Sequence, residues 1–175
     1  GNEKFRRDIV KRDYPNDDAV DKIKVIEKLG LTFSVNNIIG FPDETRELAF
    51  DTIELNRRFN SDNTSCSILV PFHGTELHAY AVEKGYLDPN VICAVSNSGE
   101  SLLNMPQWDK KDMTRLRDVF AMYIKFPKER WPEIKRAETD DVLRSKLREE
   151  FVKTYWSNST AKIEDDIAEA AKGLF

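Results

Sequence analysis

Cysteine is scarce: Cys66 and Cys93 are the only two in 175 residues. They are too few for a disulfide framework and lack metal-ligand spacing, so both are expected as reduced thiols in the cytoplasm. Only two histidines occur, His73 and His78. Their separation misses the i, i+3 or i+4 spacing of two ligands on one helical face. His73 is expected in a turn, either at a pocket mouth or in solvent. Long apolar runs are missing, since nothing approaches the roughly 20 residues of a membrane span, and no signal peptide opens the sequence. An excess of cations is missing too. Lys and Arg number 27 against 31 Asp and Glu, a net charge of −4. Without a basic stripe interleaved with aromatics, nucleic-acid binding is disfavoured.

What is present describes a globular, rather helical chain, 40% hydrophobic and 33% charged, long enough for one ordinary domain with a core. The abrupt start at "GNEKFRRDIVKR" implies a piece of a longer protein. Residues 4–12 read as a short basic helix. Asn16 or Asp17 is placed to cap the next helix, with Ala19, Ile23 and Ile26 on one face and Gly30 as its stop. Residues 31–41, "LTFSVNNIIGF", alternate as a strand. Leu31, Phe33, Val35, Asn37 and Ile39 face one way; Thr32, Ser34, Asn36, Ile38 and Gly40 face the other. A helix over about 44–59 follows, with Leu48, Thr52, Leu55 and Phe59 in a stripe. Asp43 and Glu44 sit at its start as favourable N-terminal charges. Residues 63–70, "NTSCSILV", form a second strand, and Thr75 caps a helix that stops at Gly85.

This alternation is the grammar of a parallel α/β sheet. Two strands alone leave open edges, so either strands from a missing N-terminal half complete the sheet or copies of the chain self-associate. Residues 88–108 read as an irregular connection, in which "SNSGES" (96–101) lacks the Lys and glycine spacing of a phosphate loop. Asp109 caps a strong helix carrying Met113, Leu116, Phe120 and Tyr123 in one stripe. Pro127 and Pro132 are expected to break the chain around Trp131. Helices over about 139–156 and 160–172 make 109–175 a helical C-terminal region, a bundle or a cover over the α/β part.

In a barrel of parallel strands one face packs on helices, the other lines the lumen, and ligands gather at the C-terminal strand ends. By that division the odd-numbered face of 31–41 packs and the even-numbered face looks into a hollow. Asn36 offers two donors and an acceptor, Ile38 a flat apolar contact, Gly40 close backbone approach and Pro42 a fixed turn. The same pattern also fits Asn36 as a satisfied buried amide and Ile38 as core.

"NNIIGFPDET", then "SILVPFHGTEL" and "EKGYL", together with "GNEKFRRDIVKRDYPNDDAVDKIKVIEKLG", resemble the last strand-helix units of radical S-adenosylmethionine (SAM) enzymes. The resemblance is to the cobalamin-linked branch that includes anaerobic magnesium-protoporphyrin cyclase. It is good over residues 1–87, fainter over 100–135 and absent beyond. It implies the C-terminal part of a partial (β/α)6 TIM-like barrel (1–87), a connection (88–108) and a helical region (109–175). It also implies a [4Fe-4S] cluster, an upstream cobalamin domain, a small-molecule substrate, and SAM cleaved reductively to a 5′-deoxyadenosyl radical. Residue by residue, Arg12 matches the contact to the SAM carboxylate, Asn36 a ribose contact, Ile38 an adenine contact and Val70 the adenine edge. Arg12 equally fits an exposed basic residue ending a helix.

The sequence departs from the family in several places. The cluster-binding Cys-x3-Cys-x2-Cys segment is absent, so this fragment alone is expected to be inactive and to hold no cofactor. Asp43 stands where Gly is common, and Phe72-His73 where Tyr-Pro is common. A reading of a different class is a non-catalytic α/β-helical interaction module that binds a partner subunit.

Overall fold

In the computed structural model the residues described are 1–92 and 99–156. Helix α1 (Glu3–Asp8) and helix α2 (Asn16–Lys28) lead into strand β1 (Ser34–Ile39), helix α3 (Arg46–Asn56), strand β2 (Asn63–Ile68) and helix α4 (Glu76–Glu83). Then come α5 (Lys110–Lys125), a 3-10 turn (Lys128–Arg130), α6 (Trp131–Ala137), α7 (Asp141–Phe151) and a π-helical turn (Val152–Trp156). The fold is mixed α/β, mostly helical, around a two-stranded parallel sheet. Among the described residues no helix is long and apolar enough to cross a membrane. Cys93, Ser96–Ser98 of "SNSGES" and the helix expected over 160–172 lie outside the described residues.

The register pairs Ser34 with Asn63 and runs to Ile39 with Ile68. Side chains alternate across a strand, so one sheet face carries Val35, Asn37 and Ile39 beside Thr64, Cys66 and Ile68. That face is covered by α3 and α5, with Ile39, Ile53, Met113, Leu116 and Phe120 wholly buried. The Met113/Leu116/Phe120/Tyr123 stripe is therefore core, and Asp109 caps α5 by accepting from Lys111 and Asp112 N–H. The opposite face presents Ser34, Asn36 and Ile38 beside Asn63, Ser65 and Ser67, all exposed. The buried cluster runs from Ile39 to Leu147, so the C-terminal helices share the sheet's core.

Several local expectations are corrected. Helix α1 ends at Asp8, short of residue 12, because Lys11 at φ 57° turns the chain and lets Arg12 N–H reach the Arg6 carbonyl, 3.2 Å away. Neither Asn16 nor Asp17 caps α2. Pro15 holds the cap position, and the Asn16 amide instead donates to the Gly1 carbonyl and accepts from Arg6. In α3 the fully buried face is Ala49, Ile53 and Asn56. The stripe Leu48, Thr52, Leu55 and Phe59 is half-buried beside it, because the helix packs against the sheet on one flank and meets the N-terminal segment on the other.

Leu31 is exposed, since β1 begins only at Ser34, and β2 stops at Ile68, before Val70. Pro132 does not break the chain. It lies in the first turn of α6, where a missing N–H costs nothing. Asp43 and Glu44 do not cap α3; Thr45 does, accepting from Leu48 N–H.

Candidate functional site

The turn after β1 is held from inside. Gly40 adopts φ 83°, and a Cβ there would lie 3.3 Å from the Met113 sulfur and 3.4 Å from Ile68 Cγ2. Glycine is therefore required both by conformation and by the approach of α5. The Glu44 carboxylate, 3% exposed, accepts from the Gly40 and Phe41 N–H groups at 2.6 and 3.0 Å. Burial pushes its pKa up to about 7, a rise the two backbone donors only partly offset. This role was not legible in the sequence, where an acidic pair before a helix reads as a helix-terminus charge.

Three of the four residues singled out by sequence come together. Arg12, Asn36 and Ile38 line one cavity of about 200 Å³ between the N-terminal segment and β1, with Arg6 and Tyr14 also in its wall. Arg12 is exposed on the reversed chain after α1. Asn36 is exposed and its Oδ1 accepts from Ser65 Oγ at 2.7 Å, which leaves its N–H groups to donate elsewhere. Ile38 is 49% exposed, so neither residue is a buried amide or core. Val70 is half-buried two residues past β2 and is not in the wall of this cavity. With Ile38 it lines a neighbouring cavity of about 490 Å³. Ile38 is thus common to both cavities.

Arg6 is a residue that the reading of a basic helix missed. It is buried, and its guanidinium donates to Asn16 Oδ1 at 2.7 Å and to the Tyr14 carbonyl while stacking over the Tyr14 ring at 4.1 Å. It therefore fixes the path of residues 9–15 that delivers Arg12 to the cavity. The spacing of Arg6 from Tyr14 carries no periodic signal that could have revealed it.

Other groups fall outside this arrangement. Cys66 is on the packed face, and burial pushes its thiol pKa well up, so it is an inert thiol. The His73 and His78 rings lie 4.3 Å apart, and His73 Nε2 meets the Val91 carbonyl at 2.8 Å. Among the described residues no group of three or more His, Cys, Asp or Glu side chains is placed to hold a metal ion.

No family model matches the chain. Over 69 residues it is 38% identical to a protein of Pyrococcus horikoshii named an uncharacterized methyltransferase. The match covers 39% of this chain and 15% of that protein's length. Part of the chain thus resembles part of a protein so named, and the chain spans a small fraction of that relative's length.

Proposed function

We propose that this chain is the C-terminal part of a radical SAM oxidoreductase or methyltransferase, in which β1 and β2 are the last two strands of a partial (β/α)6 barrel. In this reading 1–87 belongs to the barrel, 88–108 is a connection and 109–175 is a helical cover. The observation that carries it is the convergence of Arg12, Asn36 and Ile38 on one cavity, with Ile38 also meeting the cavity of Val70. The likeness to a methyltransferase supports SAM as the ligand.

The residues present fit its adenosine and carboxylate. A planar guanidinium suits a carboxylate, the free Asn36 amide hydrogens suit a ribose hydroxyl, and Ile38 and Val70 give an apolar contact to a base. When bound, SAM would supply the 5′-deoxyadenosyl radical. The chain's own residues bind and orient it and keep one side of the sheet open for it. A [4Fe-4S] cluster does not fit this chain, because three thiolates must converge and one of its two cysteines, Cys66, packs against the core. The thiolates, and a cobalamin domain if there is one, belong to the rest of the parent protein. The missing half of that protein is the partner that would cover the open face, with the substrate between them.

The test is SAM affinity in the full-length protein. Arg12→Ala is expected to weaken binding about tenfold or more, the worth of one charged hydrogen-bonded pair. Asn36→Ala is expected to lower 5′-deoxyadenosine formation. Unchanged affinity and unchanged SAM cleavage in these variants would remove both residues from the site. A well-folded parent that binds no SAM would favour the second reading, an interaction module that self-associates or binds a subunit. That alternative is supported by the single pairing each strand makes among the described residues.

A further inference from the structure

Asp43 is one of two non-glycine residues at positive φ, at 64°, among the described residues. L-residues other than glycine, asparagine and aspartate rarely adopt this conformation. The carboxylate that comes with it is not idle. Its Oδ1 accepts from Tyr86 OH at 2.7 Å, and its Oδ2 accepts from Tyr80 OH. Tyr80 lies in α4, and Tyr86 lies just past it, with its N–H on the Ala81 carbonyl at 2.9 Å. One side chain therefore joins the turn after β1 to the helix that follows β2. Both phenols have raised pKa values, with the Asp43 hydrogen bond as the first cause, and Tyr86 reaches about 12. Burial works against ionisation of Asp43, yet the two hydroxyls bring its pKa below the usual carboxylate value.

The link has a geometric consequence. Ile38 lies two residues before Gly40, at the end of β1, and Val70 lies five residues before the Thr75 cap of α4. The two strand ends carry one cavity between them, and the ladder joins them as far as the Leu69 N–H, which donates to the Ile39 carbonyl at 2.8 Å; Val70 and the turn after β1 lie just beyond it. We propose that Asp43 is a positioning residue: through Tyr80 and Tyr86 it locks the β1 turn to α4 and so holds Val70, just past the end of the ladder, against Ile38 for a bound adenosine. The proposal rests on the SAM reading above for its ligand, and on the three side chains alone for its lock.

The test combines amide hydrogen exchange with SAM affinity, both measured on the full-length protein. Tyr80→Phe with Tyr86→Phe is expected to speed exchange at residues 40–44 about tenfold while α5 is unchanged, since the opening is local. The same variant should weaken SAM binding about three- to tenfold, because a loosened supporting shell misplaces the contacts it holds. Asp43→Gly removes the lock but suits the backbone better. It should reproduce both effects without a matching loss of global stability, which separates positioning from folding. Asp43→Asn keeps an acceptor and the tolerance for positive φ, and should be intermediate.

Unchanged exchange at 40–44 in the double variant overturns the lock. Faster exchange with unchanged SAM affinity overturns the positioning role. A wild-type protein that binds no SAM overturns the cofactor reading and with it the positioning role, while the exchange result still decides whether the lock exists.

Discussion

The two faces of the β1–β2 sheet come from the same twelve-residue ladder and have opposite fates. One face, with Ile39 and Ile68, is sealed by α3 and α5, and its polar members are paired inside. Asn37 and Asn56 exchange amide hydrogen bonds at 3.2 and 2.8 Å. The surrounding helices are tied to one another by charge. Arg46 joins Asp112 and Glu138 at 2.9 and 2.6 Å, Tyr123 OH donates to Glu138 at 2.7 Å, and Arg57 Nη1 meets three carbonyls at the end of α5. The other face holds Ser34, Asn36, Ile38, Asn63, Ser65 and Ser67 in the open. Buried polar groups must be paired or they cost stability. An open face carries no such demand, and its side chains remain available to a ligand. The difference teaches that the stability of the sheet is concentrated on one side, which leaves the polar side chains of the other free of that demand.

That division can be broken or sharpened by mutation. The largest effect is expected on the sealed side. Ile53→Ala empties a fully buried site and should cost about 3 kcal/mol in urea unfolding, the usual loss for a large-to-small change in a packed core. A cost near zero would mean that α3 does not seal the sheet. The next concerns the turn that joins the faces. Glu44 in the folded chain titrates at about 7, against an ordinary 4.5. Between those values the unfolded chain releases its proton while the folded chain keeps it, so stability should fall as pH rises from about 4.5 to 7 and level off above. Glu44→Gln, which keeps an acceptor for Gly40 and Phe41, should flatten that slope. An unchanged slope from pH 5 to 8 would show that the carboxyl ionises normally. The smallest effect is expected on the open side, where Ser67→Ala should change stability by no more than about 0.5 kcal/mol. A larger loss would reveal that this face is also structural.

Much of this organisation was legible in the sequence. Within Ser34–Ile39 the alternation separates the packed residues from the open ones because the pleat has a period of two, whereas Leu31, before the strand begins, escapes it. The Met113 to Tyr123 stripe, Asp109 and Thr75 as caps, and Gly30 and Gly85 as stops follow equally from local rules. The buried face of α3, Ala49, Ile53 and Asn56, lies one residue from the Leu48–Leu55 stripe, since Ala49 is too small to stand out in a pattern that Leu48 and Leu55 dominate. Helix α1 stops at Asp8, short of residue 12, because Lys11 turns the chain at positive φ, a reversal that the Arg6 contacts to Tyr14 and Asn16 hold and that no helical period records. The Arg12, Asn36 and Ile38 cavity was legible only as separate residues.

The amino-acid order by itself determined which strand residues alternate, the stripe of α5, and the starts at Thr75 and Asp109 and stops at Gly30 and Gly85, because those choices depend on neighbours a few positions apart. Only the tertiary structure decided that Glu44 turns inward to hold a loop, that Asp43 meets two tyrosines some 40 residues away, and that Arg12 arrives beside Asn36. These depend on where the chain returns in space, and burial, charge and hydrogen bonding act on that distance and not on the distance along the sequence.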